Sequence, residues 1–174
     1  MIKNIMLDCI IMEKRYKSIL NYLETHRKIA SFLVVLNRGI TQITYGLYFL
    51  LLFVKMLTDF LGALRLLAIT AIPWILFSIV RGMINAPRPY EVYDVVPLID
   101  RKSGGNSFPS RHVFSIFVIA TVYFYEFTFI GVLLYVLGVL LAIVRVLTAV
   151  HFPKDVIIGA ILGIVSIIGM YRLF

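Results

Sequence analysis

The sequence predicts an all-α bundle of membrane-spanning helices, and three observations carry that expectation. Of 174 residues, 61% are hydrophobic and only 15% are charged, and the mean hydropathy is +0.96, so the chain has too little polar surface to wrap a soluble domain. The charges gather between long apolar runs instead of being dotted through them, as in a polytopic membrane protein. The run Phe127 to Val144 is apolar throughout, whereas a barrel strand would show alternating segments of about ten residues. Helices are therefore expected, not strands.

Residues 1–38 carry Lys3, Lys14, Arg15, Lys17, Arg27, Lys28 and Arg38 among apolar neighbours. That pattern predicts one or two amphipathic helices lying at the membrane interface. Asp8, Glu13 and the Lys14-Arg15 pair interrupt any signal-peptide core, so the segment is expected to stay. Residues 39–174 are expected to form the embedded bundle, with five spans at Gly39 to Val54, Leu66 to Val80, Val113 to Tyr125, Phe127 to Val144 and Val156 to Tyr171. Several fall short of the roughly 20 residues that cross about 30 Å of hydrocarbon, and snorkelling Lys55, Arg65 and Arg81 extend them. Glycines 131, 138, 159, 163 and 169 are read as close-packing positions between helices. The loop of residues 85–107 holds Pro87, Pro89, Pro97, Gly104 and Gly105, which forbid a continuing helix.

The formal charge of +8 comes from 17 Lys and Arg against 9 Asp and Glu. In so apolar a chain, that excess is expected to meet anionic lipid headgroups and not nucleic acid. Cys9 is the lone cysteine and can form no disulfide within the chain. His26, His112, His151 and Asp155 do not make a metal-ligand spacing. No metal or organic cofactor is expected. No oligomeric state is assigned, because lipid-facing and partner-facing apolar surfaces look alike in sequence.

Three charged clusters stand at the ends of the apolar runs, and alternating crossings put all three on one side of the membrane. The first is Arg81 to Pro89. Arg81 alone reads as a helix flank, but Arg88 is stiffened by a proline on each side and suits bidentate binding of phosphate or carboxylate. The second is Ser107 to His112, where Pro109 and Ser110 are good helix initiators and the amides that follow form an anion site. Ser110 can equally be an ordinary N-cap and Arg111 a snorkelling flank, while His112 brings an imidazole, the side-chain type suited to acid–base chemistry near neutral pH. The third is Arg145 to Asp155, in which His151 and Asp155 stand four apart and share a helical face if a helix begins near Pro153. Asp155 would then fix one ring nitrogen and leave the other as nucleophile, the alternative being a plain helix-end ion pair. Converged, the clusters would surround a small, multiply charged anion.

These stretches resemble the signature of the type 2 phosphatidic acid phosphatase family, KxxxxxxRP, PSGH and SRxxxxxHxxxD. Here they stand as Arg81 with Arg88-Pro89, as Pro109-Ser110-Arg111-His112, and as Arg145 with His151 and Asp155. The resemblance implies a compact bundle of membrane helices and phosphate-ester hydrolysis needing no metal or organic cofactor. It implies His151 as the nucleophile forming a phosphohistidine, Asp155 as its orienter and His112 as the general acid. Arg81, Arg88 and Arg145, with Ser110 and nearby amides, would hold the phosphoryl oxygens. The chain departs from the pattern at Arg81, where Lys is usual, at Val144, where Ser is usual, and at Arg111, where Gly is usual. Arg111 adds bulk and fixed charge beside His112, and with Arg101 and Lys102 forms a possible auxiliary anion contact.

The expected substrate keeps its phosphate in water and its tail in lipid. The added cations tilt the reading toward a diphosphate such as undecaprenyl diphosphate, with phosphatidylglycerophosphate and phosphatidic acid as alternatives. Positive charge gathers on the side of the three clusters and the N-terminus, which places that side in the cytoplasm. The resemblance, in a bacterial cytoplasmic membrane, places the site outward, and a sixth, partly buried segment near Ile29 to Leu36 would put the N-terminus and the active site on opposite sides. Rival readings are a phosphotransferase using the same phosphohistidine, an anionic-lipid binding or transport protein using only the arginines, and a structural membrane subunit.

Overall fold

Single residues separate most of the long helices, so the bundle is built from hairpins with almost no connecting loop. The computed structural model describes residues 2–99 and 104–174, with side chains from residue 10 onward. Its helices are α1 (Ile2–Thr25), α2 (Arg27–Thr58), α3 (Phe60–Ile84), α4 (Pro89–Val92), α5 (Arg111–Glu126), α6 (Thr128–Leu147) and α7 (Pro153–Leu173). Asp59 closes α2 and opens α3, its Oδ1 accepting the Gly62 amide at 2.9 Å.

Four helices, α2, α3, α6 and α7, are long and apolar enough to cross a membrane. They carry a belt of exposed large side chains that includes Phe49, Phe53, Leu61, Leu76 and Val136, a surface suited to lipid and costly in water. The expected span Val113 to Tyr125 becomes α5, whose 16 residues reach about 24 Å. Every residue of α5 from 113 to 123 is buried, enclosed by α2, α3, α6 and α7. Its all-round apolar character reflects a position inside protein, which sequence does not distinguish from a position in lipid.

The boundary expected at residue 38 falls inside α2, since Arg38 interrupts the apolar run without interrupting the helix. The segment Ile29 to Leu36 is likewise the opening of α2 and not a separate sixth crossing. Helix α1 buries the stripe Tyr16, Leu20 and Leu23 against Tyr93 and Ala149 on one side and Ala30, Leu33 and Val144 on the other. These neighbours belong to the end of the bundle that holds the three charged clusters. The N-terminal helix and the clusters therefore share one side.

Close packing explains four of the five glycines. A Cβ on Gly159 would stand 2.8 Å from the Ser110 carbonyl, and one on Gly163 would stand 2.8 Å from the Phe114 carbonyl, so α7 meets α5 backbone to backbone. Gly131 and Gly138 likewise admit Phe124 and Phe117 of α5 to the surface of α6. Gly169 faces open space and does not serve as a packing position. At the opposite end from the clusters, Lys55 and Glu126 pair at 2.9 Å and tie α2 to α5.

Candidate active site

The last turn of α3 delivers Arg81, which is buried and donates to the carbonyls of Asn106 and Pro109. Asn85 ends the helix at φ 40°, and its Oδ1 accepts the Asn106 amide at 3.2 Å. Both bonds fold the loop back over the helix end.

Arg88 follows between its two prolines and is 2% exposed. Its Nε donates to Gly105 O at 2.9 Å, Nη1 to Val150 O at 3.2 Å and Nη2 to Asn106 O at 3.3 Å. Glu91 holds this arrangement: its carboxylate accepts the Arg88 amide at 2.7 Å and the Gly105 amide at 2.9 Å. A Cβ on Gly104 would fall 2.1 Å from the same carboxylate, and Gly105 stands at φ +69°, so this turn requires glycine.

The first turns of α5 and α7 meet where the Ser110 amide donates to Asp155 O at 2.9 Å. That amide is consumed by structure, contrary to the expected phosphate cradle, and the buried Ser110 Oγ has no hydrogen-bond partner among the described residues. His151 precedes α7 in a turn entered through Ala149 at φ 56°, so its pairing with Asp155 does not arise from a shared helical face as expected. His151 Nδ1 lies 3.5 Å from Asp155 Oδ2 and 3.4 Å from Ser107 Oγ. The same Oδ2 accepts Ser107 Oγ at 2.5 Å and the Phe152 amide at 3.0 Å. The His151 backbone is fixed from both sides, its amide donating to Arg145 O at 3.2 Å and its carbonyl accepting Tyr16 OH at 3.1 Å. Burial pushes the Tyr16 phenol up, which keeps it a donor.

His151 is 1% exposed and Asp155 is fully buried. Burial pushes the His151 imidazole well below its usual range, and the guanidiniums of Arg145 and Arg88 add to the effect against the opposing carboxylate of Asp155. The ring is neutral at pH 7. With Nδ1 directed at Asp155 and Ser107, Nε2 is left with a lone pair, as nucleophilic chemistry requires.

Two cavities lie about one helical turn apart along α3 and α5. A cavity of about 300 Å³ is lined by Arg81, Arg88, Arg111, Ser78 and Asn106, and among the described residues no acidic side chain lies on its wall. An apolar groove of about 370 Å³ is lined by Trp74, Ile75, Ser115 and Ile119, and by Tyr45 and Phe49 of α2. On α3 the positions Trp74, Ser78 and Arg81 fall on one helical stripe that runs from groove to cavity, and on α5 Arg111, Ser115 and Ile119 do the same. A cationic head site and an apolar groove thus follow one another along the same two helices, an arrangement that suits an amphiphile.

The tertiary structure brings together Arg81, Arg88, Ser107, Ser110, Arg145, His151 and Asp155. Arg145 is 1% exposed and does not line the cationic cavity; its carbonyl orders the His151 turn. His112 lines a separate small pocket with Thr41, Thr44, Tyr45, Ser115 and Leu141, while its neighbour Arg111 takes the wall beside Arg81 and Arg88. Arg101 and Lys102 lie outside the described residues. Sequence reasoning missed Ser107, Glu91 and Tyr16 as supports. Glu91, three residues after Arg88 with proline between, carries a helix-start signal that could have revealed it. Among the described residues, no group of three or more His, Cys, Asp or Glu is placed to hold a metal ion.

The sequence pattern of the PAP2 superfamily matches residues 62–174, well over half of the chain. The crystal structure of Aquifex aeolicus LpxE is 28% identical, with a TM-score of 0.67, covering 86% of this chain and 94% of that one. The crystal structure of the first transmembrane PAP2-type phosphatidylglycerolphosphate phosphatase from Bacillus subtilis shares the fold at 22% identity and a TM-score of 0.62, covering 98% of this chain and 94% of that one. No curated protein sequence matches. The readings as a mere binding protein or structural subunit give way to an enzyme: the chain belongs to the PAP2 superfamily, as an integral membrane lipid phosphatase.

Proposed function

We propose that the protein hydrolyses a lipid phosphomonoester without metal, through a phosphohistidine on His151. The observation that carries this reading is the contact of His151 Nδ1 with Asp155 and Ser107 while Arg88 both lines the cationic cavity and donates to Val150, the residue before His151. Arg81 and Arg88 are held by neutral carbonyls, and a phosphate is the stronger acceptor for both guanidiniums. In the first step the Nε2 lone pair forms a P–N bond while the bond from phosphorus to the lipid oxygen breaks. On this reading His112, the general acid by family resemblance, turns from its separate pocket toward the phosphate and gives its proton to the departing alkoxide. Asp155 stabilises the positive charge that the ring acquires. Water, deprotonated by His112, then attacks phosphorus, the P–N bond breaks, and inorganic phosphate leaves with His151 neutral again. Arg145 acts by ordering the His151 turn and by its nearby positive charge.

The substrate proposed is a diacylglycerol-based phosphomonoester of the phosphatidylglycerophosphate or phosphatidic acid kind, ahead of undecaprenyl diphosphate. The activity of the Bacillus subtilis phosphatidylglycerolphosphate phosphatase that shares this fold supports this choice, and the apolar groove along the same helices is suited to an acyl chain. We further place α5 as a fifth crossing, α1 at the interface, and the site on the outer face of a bacterial cytoplasmic membrane.

The test is phosphate release by purified protein in detergent with a chelator present, from each of the three lipids. Release is expected from the diacyl lipids and is lost in His151→Ala. Brief incubation with lipid carrying labelled phosphate should leave an acid-labile, base-stable label on the wild type. Label on Ser or Asp, or activity surviving His151→Ala, would overturn the mechanism. Added alcohols left unphosphorylated distinguish hydrolysis from phosphotransfer.

A further inference from the structure

Three arginines face one cavity that, among the described residues, has no acidic side chain on its wall. Two of them converge: Arg81 and Arg88 are both buried and both donate to the Asn106 carbonyl. A single phosphate displacing that carbonyl would satisfy both forks. Arg111 differs in every respect. It is exposed, approaches from the first turn of α5, and makes no hydrogen bond or ion pair with any described residue. Its position is also electrostatically unfavourable, since a cation at a helix N-terminus opposes the helix dipole and Arg111 acts on Arg88 as a like charge. Among the described residues, the Glu91 carboxylate beside Arg88 is engaged by the amides of Arg88 and Gly105, and that of Asp155 by Ser107 and the Phe152 amide. Nothing among the described residues compensates this charge, and an anion in the cavity would. A snorkelling flank would instead point along the lipid surface, away from the other two arginines.

We propose that Arg111 sets headgroup specificity by binding a second anionic group of the lipid, beyond the phosphate held by Arg81 and Arg88. Preferred substrates then carry two phosphates on one headgroup, either spaced by glycerol or adjacent as a diphosphate. The inference rests on the phosphatase reading above and narrows its substrate class. A neutral residue at position 111 would leave the wall with two cations and remove the discrimination.

The experiment compares phosphatidylglycerophosphate with phosphatidic acid of the same acyl chains, in the same mixed micelles, for wild type, R111G, R111Q and R111K. Wild type should favour the doubly charged lipid by tenfold or more in kcat/KM. R111G and R111Q should lower that ratio at least tenfold, chiefly through KM, and R111K should retain part of it because it keeps charge without the planar fork. A ratio unchanged in R111G, or a loss shared equally by both lipids, overturns the proposal. Undecaprenyl diphosphate forms a third arm, and a KM rise there alone assigns the second anion to an adjacent phosphate. If wild type hydrolyses none of the lipids, the phosphatase reading fails and the subsite is tested by binding. Glycerol 1,3-bisphosphate should then raise the thermal midpoint of wild type more than glycerol 3-phosphate does, with the difference gone in R111G; equal shifts in wild type would sink the subsite as well.

Discussion

The amide of Ser110 donates to the carbonyl of Asp155 at 2.9 Å, joining the first turn of α5 to the first turn of α7 beneath the His151 turn. Gly159, one turn further along α7, lies so close to Ser110 that a Cβ would stand 2.8 Å from its carbonyl. Gly159→Ala is therefore expected to push the two helix starts apart. Overpacking of this kind costs roughly 1–3 kcal/mol, read as a lower thermal midpoint in detergent together with reduced phosphate release. Gly169→Ala, which meets open space, is the matched control and should change neither.

Ser107 is the residue through which the loop reaches the His151–Asp155 pair, its hydroxyl donating to Asp155 Oδ2. Ser107→Ala removes a hydrogen bond to a charged acceptor, worth about 1.5–3 kcal/mol. If that orientation is expressed in the transition state, kcat falls about ten- to a hundredfold with KM little moved. Steady-state kinetics on the preferred lipid decide it. A change confined to KM would assign Ser107 to substrate binding instead.

Burial keeps the His151 ring unprotonated in the folded protein at pH values where the unfolded chain takes up a proton. Stability from this group is complete above the ordinary histidine value of about 6.5 and is lost as pH falls below it toward the depressed folded value. Imidazole NMR should show His151 silent between pH 8 and 5. The thermal midpoint should fall from pH 7.5 to pH 5, and fall less in His151→Gln, which has no proton to gain.

Helix α1 sits on the active-site side, with Tyr16 donating to the His151 carbonyl. In a Cys9→Ser background, Glu24→Cys and Asp94→Cys should react with a membrane-impermeant maleimide from one and the same side of intact cells. The outward placement expects labelling without permeabilisation. Labelling of both only after permeabilisation would move the whole site to the cytoplasm, as the positive-charge pattern suggests.

Tyr16→Phe should loosen the His151 turn without altering the cavity lining. One neutral hydrogen bond contributes about 0.5–1.5 kcal/mol, so a kcat decrease of roughly two- to tenfold is expected, with the preference among lipids unchanged. Loss of that preference would show that α1 shapes the headgroup site.

Composition and charge spacing determined that this chain lives in a membrane as helices, because uninterrupted apolar runs cannot be reconciled with water or with an alternating barrel strand. The motif spacings named Arg81, Arg88, Arg145, His151 and Asp155, since their chemistry is written in residue type. What sequence could not separate is apolar burial in protein from apolar burial in lipid, and so α5 looked like any other span until its neighbours enclosed it. Nor could it assign hydrogen bonds between residues far apart in the chain. Ser107 reaches Asp155 and Tyr16 reaches His151 only because α5 meets α7, and α1 packs on the turn between α6 and α7, at one end of the bundle. The same packing turned Arg111, and not His112, toward Arg81 and Arg88, a choice between adjacent residues that is fixed by the rotation of α5 in its bundle.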